Sequence, residues 1–220
     1  MTLREKYKTV LDYFISNRPE VKTELEYNDP YQLIVAVILS AQCTDKRVNI
    51  ITPALFQRFP DAASMAEADV SEIYEFIRSC TYPNNKAKNL SGMAKILMKE
   101  FKGSVPSDPE LLQKLPGVGR KTANVVASVL FDEPVIAVDT HVFRVSSRLG
   151  LVKNAKTPLD VELQLTRNIP ENMRHNAHHW LILHGRYICK ARNPLCTECG
   201  LKTVCNYYAK INRRPGKIKT

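Results

Sequence analysis

The sequence predicts an all-α protein of two helical domains, with a helical hairpin mid-chain and a four-cysteine loop near the C-terminus. Three observations carry that expectation. Apolar residues recur at helical spacing along most of the 220 residues. One stretch, YQLIVAVILSAQ at 31–42, is apolar nearly all round, as a helix buried on every side is. Proline, glycine and Asn/Asp breaks fall at intervals suited to about ten helices.

The elements follow in order. Val10, Leu11, Phe14 and Ile15 share one face of a helix over 3–16, which either lobe can accept. The segment MTLREKYKTVLDYF is charged throughout and lacks the apolar core of a secretory signal. The 31–42 helix is the expected centre of the larger lobe, and its longest apolar run, Leu33 to Leu39, is far short of the ~20 residues a membrane span needs. Ile73, Phe76 and Ile77 mark a further helix, as do Met93, Ile96 and Leu97. Asp108 as N-cap, Pro109 at the first helical position and Glu110 in the first turn predict a short helix that Pro116-Gly117-Val118-Gly119 ends. Val125, Val126, Val129 and Leu130 place a helix over 120–131, closed by Asp132-Glu133-Pro134. Residues 134–138, rich in β-branched side chains, are the one strand-like run. Val142, Val145 and Leu149 then resume helical spacing, with breaks at Pro158 and Pro170. The tail NRRPGKIKT is basic, expected to fray, and suited to touching phosphate.

Lysine and arginine number 32 against 22 aspartate and glutamate, so the formal charge of +10 favours a polyanionic partner, although a solvated basic surface has the same composition. A soluble, intracellular protein is expected. Four of the six cysteines crowd into 189–205, while Cys43 and Cys80 stand alone within helical patterns.

Lys121 and Asp139 are eighteen positions apart. About eleven helical steps of ~1.5 Å carry the chain ~16 Å out, and about five extended steps of ~3.3 Å return it, so the two side chains are expected to face one cleft. The glycines of PGVG permit a tight turn with backbone amides at a helix N-terminus, a place suited to phosphate, though any helical hairpin needs such a turn. Lys121 lies in the helix's first turn, where the dipole and partial burial favour the neutral amine a nucleophile needs and nearby DNA phosphates favour the cation. A solvated surface lysine is the commoner case. Asp139 reads first as the N-cap of the helix that follows, a role compatible with stabilising a cationic sugar or moving a proton.

Cys189, Cys196, Cys199 and Cys205 follow C-x6-C-x2-C-x5-C. Four thiolates suit tetrahedral zinc or a cubane iron–sulfur cluster, and ligand type alone leaves both open. Two disulfides are the weaker alternative. Lys190, Arg192 and Lys202 lie within these loops.

LPGVGRKTANVV, then VDTHVFR, then the four-cysteine pattern together resemble endonuclease III, a bifunctional DNA glycosylase/AP lyase of the helix-hairpin-helix superfamily; ILSAQCTDKRVN at 38–49 resembles its early helix. The resemblance spans about residues 30–205. It implies a six-helix domain at 23–133 holding the helix-hairpin-helix, and a second helical domain of 1–22 and 134–220 carrying a [4Fe-4S] cluster on the four cysteines, with DNA at the cleft between them. It further implies a monomer of the cytoplasm or nucleoid that acts on double-stranded DNA with a damaged pyrimidine or abasic site. Lys121 takes the position of the nucleophile and Asp139 that of the catalytic carboxylate. Gln42, Tyr82, Gly117, Gly119 and Arg120 are the implied DNA contacts, Gln42 entering the duplex beside an extruded base.

This chain departs from the family where Thr81-Tyr82-Pro83 precedes Asn84-Asn85-Lys86-Ala87. Tyr82 stands in place of an apolar wedge, and a tyrosine can stack on bases or pack within the protein. His141 is expected to orient or pack, and His175, His178, His179 and His184 to serve packing and surface roles. Two rivals are an adenine glycosylase, a group that generally lacks lysine at position 121, and a non-catalytic helix-hairpin-helix protein.

Overall fold

The computed structural model of the protein describes residues 1–18 and 21–212. The basic tail lies, from residue 213 onward, outside the described residues. The chain forms two compact units: Thr23–Glu133, and Met1–Lys22 together with Pro134–Thr220.

In the 23–133 unit, α2 (Pro30–Ser40) is opened by Asp29, whose carboxylate accepts from the Gln32 amide at 2.8 Å, and by Pro30 at the first helical position. Tyr31 and the seven residues Leu33–Leu39 are buried, and each aliphatic side chain so removed from water contributes roughly 1.5–3 kcal/mol. Helix α2 packs on α3 (Asp45–Arg58), α6 (Pro83–Phe101) and α8 (Arg120–Phe131), which makes it the axis of this unit. Two short helices, α4 (Ala62–Glu67) and α5 (Val70–Ile77), cover α6. A single turn, α7 (Pro109–Leu112), precedes α8. The described residues of this unit carry seven helices, the shortest holding only four residues.

The other unit contains α1 (Leu3–Asn17), α9 (Thr140–Leu149), α10 (Pro158–Asn168), α11 (Arg174–Tyr187) and α12 (Asn206–Asn212). Helix α1 starts with a reciprocal cap between Thr2 and Glu5. Its Phe14 ring stacks on Trp180 at 5.7 Å between centroids, and the Trp180 indole donates to the Arg18 carbonyl at 2.6 Å. Buried Lys6 donates to the Leu149 carbonyl and to Asn206 Oδ1, so α1 also closes the end of α9. Gly150, at φ +80°, makes the left-handed turn there, and a Cβ on it would run into Asn206.

Residues 134–138 are extended but form no strand among the described residues. A strand needs a neighbouring backbone, and here side chains bind the carbonyls instead: Arg174 donates to Pro134 O at 3.1 Å and the His178 ring to Ala137 O at 2.8 Å. Ile136, Ala137 and Val138 are buried, which explains the β-branched composition without a sheet.

Candidate functional site

The hairpin turn between α7 and α8 is shaped by contact with α6. Gly117 adopts φ +80°, and a Cβ there would lie 2.9 Å from Asn89 Cβ, so both backbone and space require glycine. Gly92 likewise admits Pro116, whose Cγ would lie 3.1 Å from an added Cβ. Gly119 is the N-cap of α8, with no side-chain cap and nothing within 4 Å of its Cβ position. Arg120 and Lys121 follow in the exposed first turn, while Ala123, Val126 and Ala127 anchor the opposite face. The first turn of α8 is thereby open to an anion, with Lys121 beside it.

Asp139 stands at the N-cap of α9, half-buried, its Oδ1 accepting from the Val142 amide at 2.8 Å. Oδ2 has no hydrogen bond among the described residues. His141 packs against α11 where Gly185 leaves room, a Cβ on Gly185 falling 2.8 Å from His141 Cβ, and its Nδ1 meets Arg144 at 3.1 Å. Burial lowers the His141 pKa, opposed by the Asp139 charge. His178, His179 and His184 are all buried, His178 holding the segment that leads to Asp139. Lys121 and Asp139 belong to different units.

Gln42 and Tyr82 lie on neighbouring turns, both in left-handed backbone conformation at φ 55° and 54°. Both are exposed, Tyr82 to 63%, so Tyr82 does not pack into the protein. Pro83 occupies the first position of α6, where a proline costs the helix no hydrogen bond. The Thr81 hydroxyl donates to the Gln42 carbonyl at 2.9 Å. Beneath the two turns Lys86, only 5% exposed, donates to Leu39 O at 2.7 Å, Ala41 O at 2.8 Å and Thr81 Oγ1 at 3.3 Å. Burial lowers its pKa. Sequence reasoning assigned Lys86 no role. The one available signal was a lysine at the start of a helix whose next apolar residues, Ala87 and Leu90, face the core.

Cys189, Cys196, Cys199 and Cys205 line one pocket, shared with Leu149, Ile188 and Leu195. None is in a disulfide. Arg148 donates to Cys189 Sγ at 3.5 Å and to the Lys190 and Ala191 carbonyls, and Arg144 donates to the Cys189 carbonyl at 3.0 Å. Tyr208 N donates to Cys205 Sγ at 3.5 Å, and His184 Nε2 lies 3.5 Å from Cys199 Sγ. Burial pushes the Cys196 and Cys199 thiols up and His184 down to about 4. Four sulfurs in an apolar-walled cavity, with donors directed at them, are a donor set that fits a thiolate-bound iron–sulfur cluster.

Known proteins bear on this arrangement. Residues 35–171 match the HhH-GPD superfamily of base excision DNA repair proteins. Endonuclease III of Rickettsia conorii is 49% identical over 90% of this chain and 94% of its own length. Endonuclease III of Escherichia coli K12 is 41% identical over 95% and 99%. The chain belongs to the endonuclease III family. An endonuclease III trapped as a covalent intermediate with DNA superposes with a TM-score of 0.92 at 41% identity, covering 97% of this chain and all of that one. A thermostable thymine-DNA glycosylase, 24% identical with a TM-score of 0.82, shares the fold. As an endonuclease III family member the protein is a base-excision-repair DNA glycosylase and AP lyase acting on oxidised pyrimidines, and DNA is its partner. No helix among the described residues is long and apolar enough to cross a membrane.

Proposed function

We propose that Lys121 is the nucleophile and Asp139 the carboxylate of this activity, that the Gly117–Arg120 turn holds a phosphate, and that Gln42 and Tyr82 enter the duplex. The observation that carries the reading is the placement of an exposed lysine in the first turn of α8, directly after Gly119-Arg120, where the Gly119 Cβ position has nothing within 4 Å. Phosphate accepts from the backbone amides of that turn and holds the strand beside the amine. Chemistry at C1′ requires the damaged nucleotide to leave the stack, and Tyr82 offers an exposed ring to fill the gap. Lys121 Nζ, neutral, forms a bond to C1′ as the glycosidic bond breaks and the base departs with its electron pair. Asp139, pinned by Val142 N, keeps Oδ2 for the cationic sugar and for proton transfer. The sugar opens to a Lys121 Schiff base, loss of a C2′ proton expels the 3′ phosphate, and water releases the lysine.

The four cysteines would hold a [4Fe-4S] cluster, which when bound supplies a covalent tie across their loops. Lys190 and Lys202 are exposed on those loops and add positive charge for a phosphate backbone. The double-stranded substrate with a damaged pyrimidine or abasic site, the monomeric state and a place in the cytoplasm or nucleoid belong to the same reading.

Borohydride reduction tests it. With duplex carrying thymine glycol or an abasic site, the protein is expected to give a covalent adduct, and Lys121→Gln is expected to abolish it while binding persists. An adduct that survives in Lys121→Gln would remove Lys121 from the role. Asp139→Asn should slow base release more than it weakens binding, and unchanged release would reject Asp139. Visible absorbance with iron on metal analysis, rather than zinc, is expected for the purified protein.

A further inference from the structure

Cys43 and Cys80, which the proposed chemistry does not use, come from different turns and meet at 3.7 Å between sulfurs. Cys43 ends the turn after α2, its amide donating to Ser40 O at 3.0 Å; Cys80 ends the turn after α5, its amide donating to Ile77 O at 2.8 Å. Gln42 is the residue before Cys43, and Tyr82 is two residues after Cys80. The thiols therefore face each other across the junction of the two turns that carry the exposed side chains. A disulfide has sulfurs about 2.05 Å apart, so closing one here takes about 1.7 Å of approach, within reach of two turns that Lys86 and Thr81 already hold together.

We infer that Cys43 and Cys80 form a dithiol–disulfide site that couples the redox state of the cell's small thiols to DNA binding by the Gln42 and Tyr82 turns. The roles differ by exposure. Cys43 is half-buried and reachable, whereas Cys80 is 5% exposed and burial pushes its thiol up to about 11. Cys43 as thiolate attacks a low-molecular-weight disulfide; a bond forms from Cys43 Sγ to one sulfur, and the other leaves as a thiolate that takes up the proton Cys43 lost. Cys80 then gives up its proton and attacks Cys43 Sγ of the mixed disulfide, forming Cys43–Cys80 and expelling the second small thiolate, which takes up that proton. Two protein thiols are oxidised and one small disulfide is reduced to two thiols. The approach of the sulfurs pulls on the left-handed residue beside each turn and on the Thr81–Gln42 bond, so the oxidised form presents Gln42 and Tyr82 in altered positions. Thiol reductants reverse the change.

The DNA-binding half rests on the reading that Gln42 and Tyr82 touch DNA; the thiol chemistry stands without it. The test uses the full chain carrying its metal centre, oxidised glutathione as the probe, alkylation by N-ethylmaleimide, and peptide mass analysis. A peptide pair linked through Cys43 and Cys80, lighter by two hydrogens and separated by dithiothreitol, is expected, with severalfold weaker binding of an abasic-analogue duplex that dithiothreitol restores. Cys80→Ser should stop at a glutathione adduct on Cys43, and Cys43→Ser should give no adduct at Cys80. Both thiols alkylated after treatment, or a lasting Cys43 adduct in the unaltered protein, would overturn the proposal. So would loss of binding by oxidised Cys43→Ser/Cys80→Ser protein, which assigns the effect to the other cysteines. A linked pair with unchanged binding overturns the coupling. Reduced Gln42→Ala and Tyr82→Ala proteins separate the two failures: normal binding by both sinks the interface reading itself, while weakened binding leaves that reading standing.

Discussion

Two sets of loops in this protein are held by opposite means. Beneath the Gln42 and Tyr82 turns, a single buried ammonium binds two carbonyls and a hydroxyl within 3.3 Å, and the turns are closed by the chain alone. Around the four cysteines, Arg144, Arg148 and Lys202 bind carbonyls of the loops, and the four cysteines line a pocket between them. A lysine can close two turns because three donors on one flexible stem match three acceptors. It cannot close a loop from Cys189 to Cys205, whose cysteine side chains line the pocket and offer weak thiol donors rather than carbonyl acceptors. The first design fixes geometry through folding; the second, on the proposed reading, leaves it to the cluster that the four cysteines would hold.

Breaking the second design is expected to cost the most. Cys199→Ala should be isolated without iron, with rapid proteolysis between 189 and 205 and a stability loss of several kcal/mol, since metal-binding free energy at such sites is folding free energy. Amide exchange in 23–133 should stay as it was. Equal exposure in both units would contradict the contrast. Lys86→Met keeps the stem and removes the donors, leaving the buried Leu39 carbonyl without its lysine partner. About 3 kcal/mol should be lost, with faster amide exchange at 41–43 and 80–82, read by denaturant titration and exchange mass spectrometry. No local change in exchange would show that the turns need no tie.

A third test asks whether acid loosens the cysteine-bearing unit first. His179 is buried against His175 and His178, with the Arg186 charge also acting on it, and its Nε2 has no hydrogen bond among the described residues. Burial pushes it down to about 3. Below its ordinary value near 6.5 the unfolded chain takes a proton that the folded chain refuses, so stability is full above pH 6.5 and falls toward pH 3. Between pH 6.5 and 5 this amounts to roughly 2 kcal/mol. His179→Phe should flatten that part of the melting-temperature profile, and an unchanged slope would assign the loss elsewhere.

The legibility of the chain divides along the same line. Helix α8 was readable to its ends, because Val125, Val126, Val129 and Leu130 set its period and Asp132-Glu133-Pro134 its stop, and the hairpin glycines were readable as a turn. Residues 134–138 misled because β-branched side chains favour any extended buried segment, and only tertiary structure shows whether a second strand lies beside it. The four cysteines were visible as a cluster by spacing alone. Lys86 was not, because its partners are carbonyls at 39 and 41 brought to it by packing of α2 on α6, and nothing in a lysine's neighbours in sequence reports such acceptors. The Cys43–Cys80 approach was hidden for the same reason.

The smallest test concerns Thr81, which links the two turns. Its hydroxyl accepts from Lys86 Nζ and donates to Gln42 O, so it joins the buried tie to the backbone of an exposed residue. Thr81→Val keeps the branched shape and deletes both of these bonds together with a longer one to Ala41 O at 3.4 Å. Because the residue is exposed, water replaces much of what is lost, and about 1 kcal/mol of stability is expected to go. The larger consequence is positional: without the hydroxyl, the Gln42 turn is tied only through Ala41 and Leu39. Lesion-duplex binding should weaken more in Thr81→Val than its stability loss would suggest, whereas Lys86→Met should lower both together. If Thr81→Val binds lesion duplex as the unaltered protein does, the two turns act separately and Lys86 alone sets their positions.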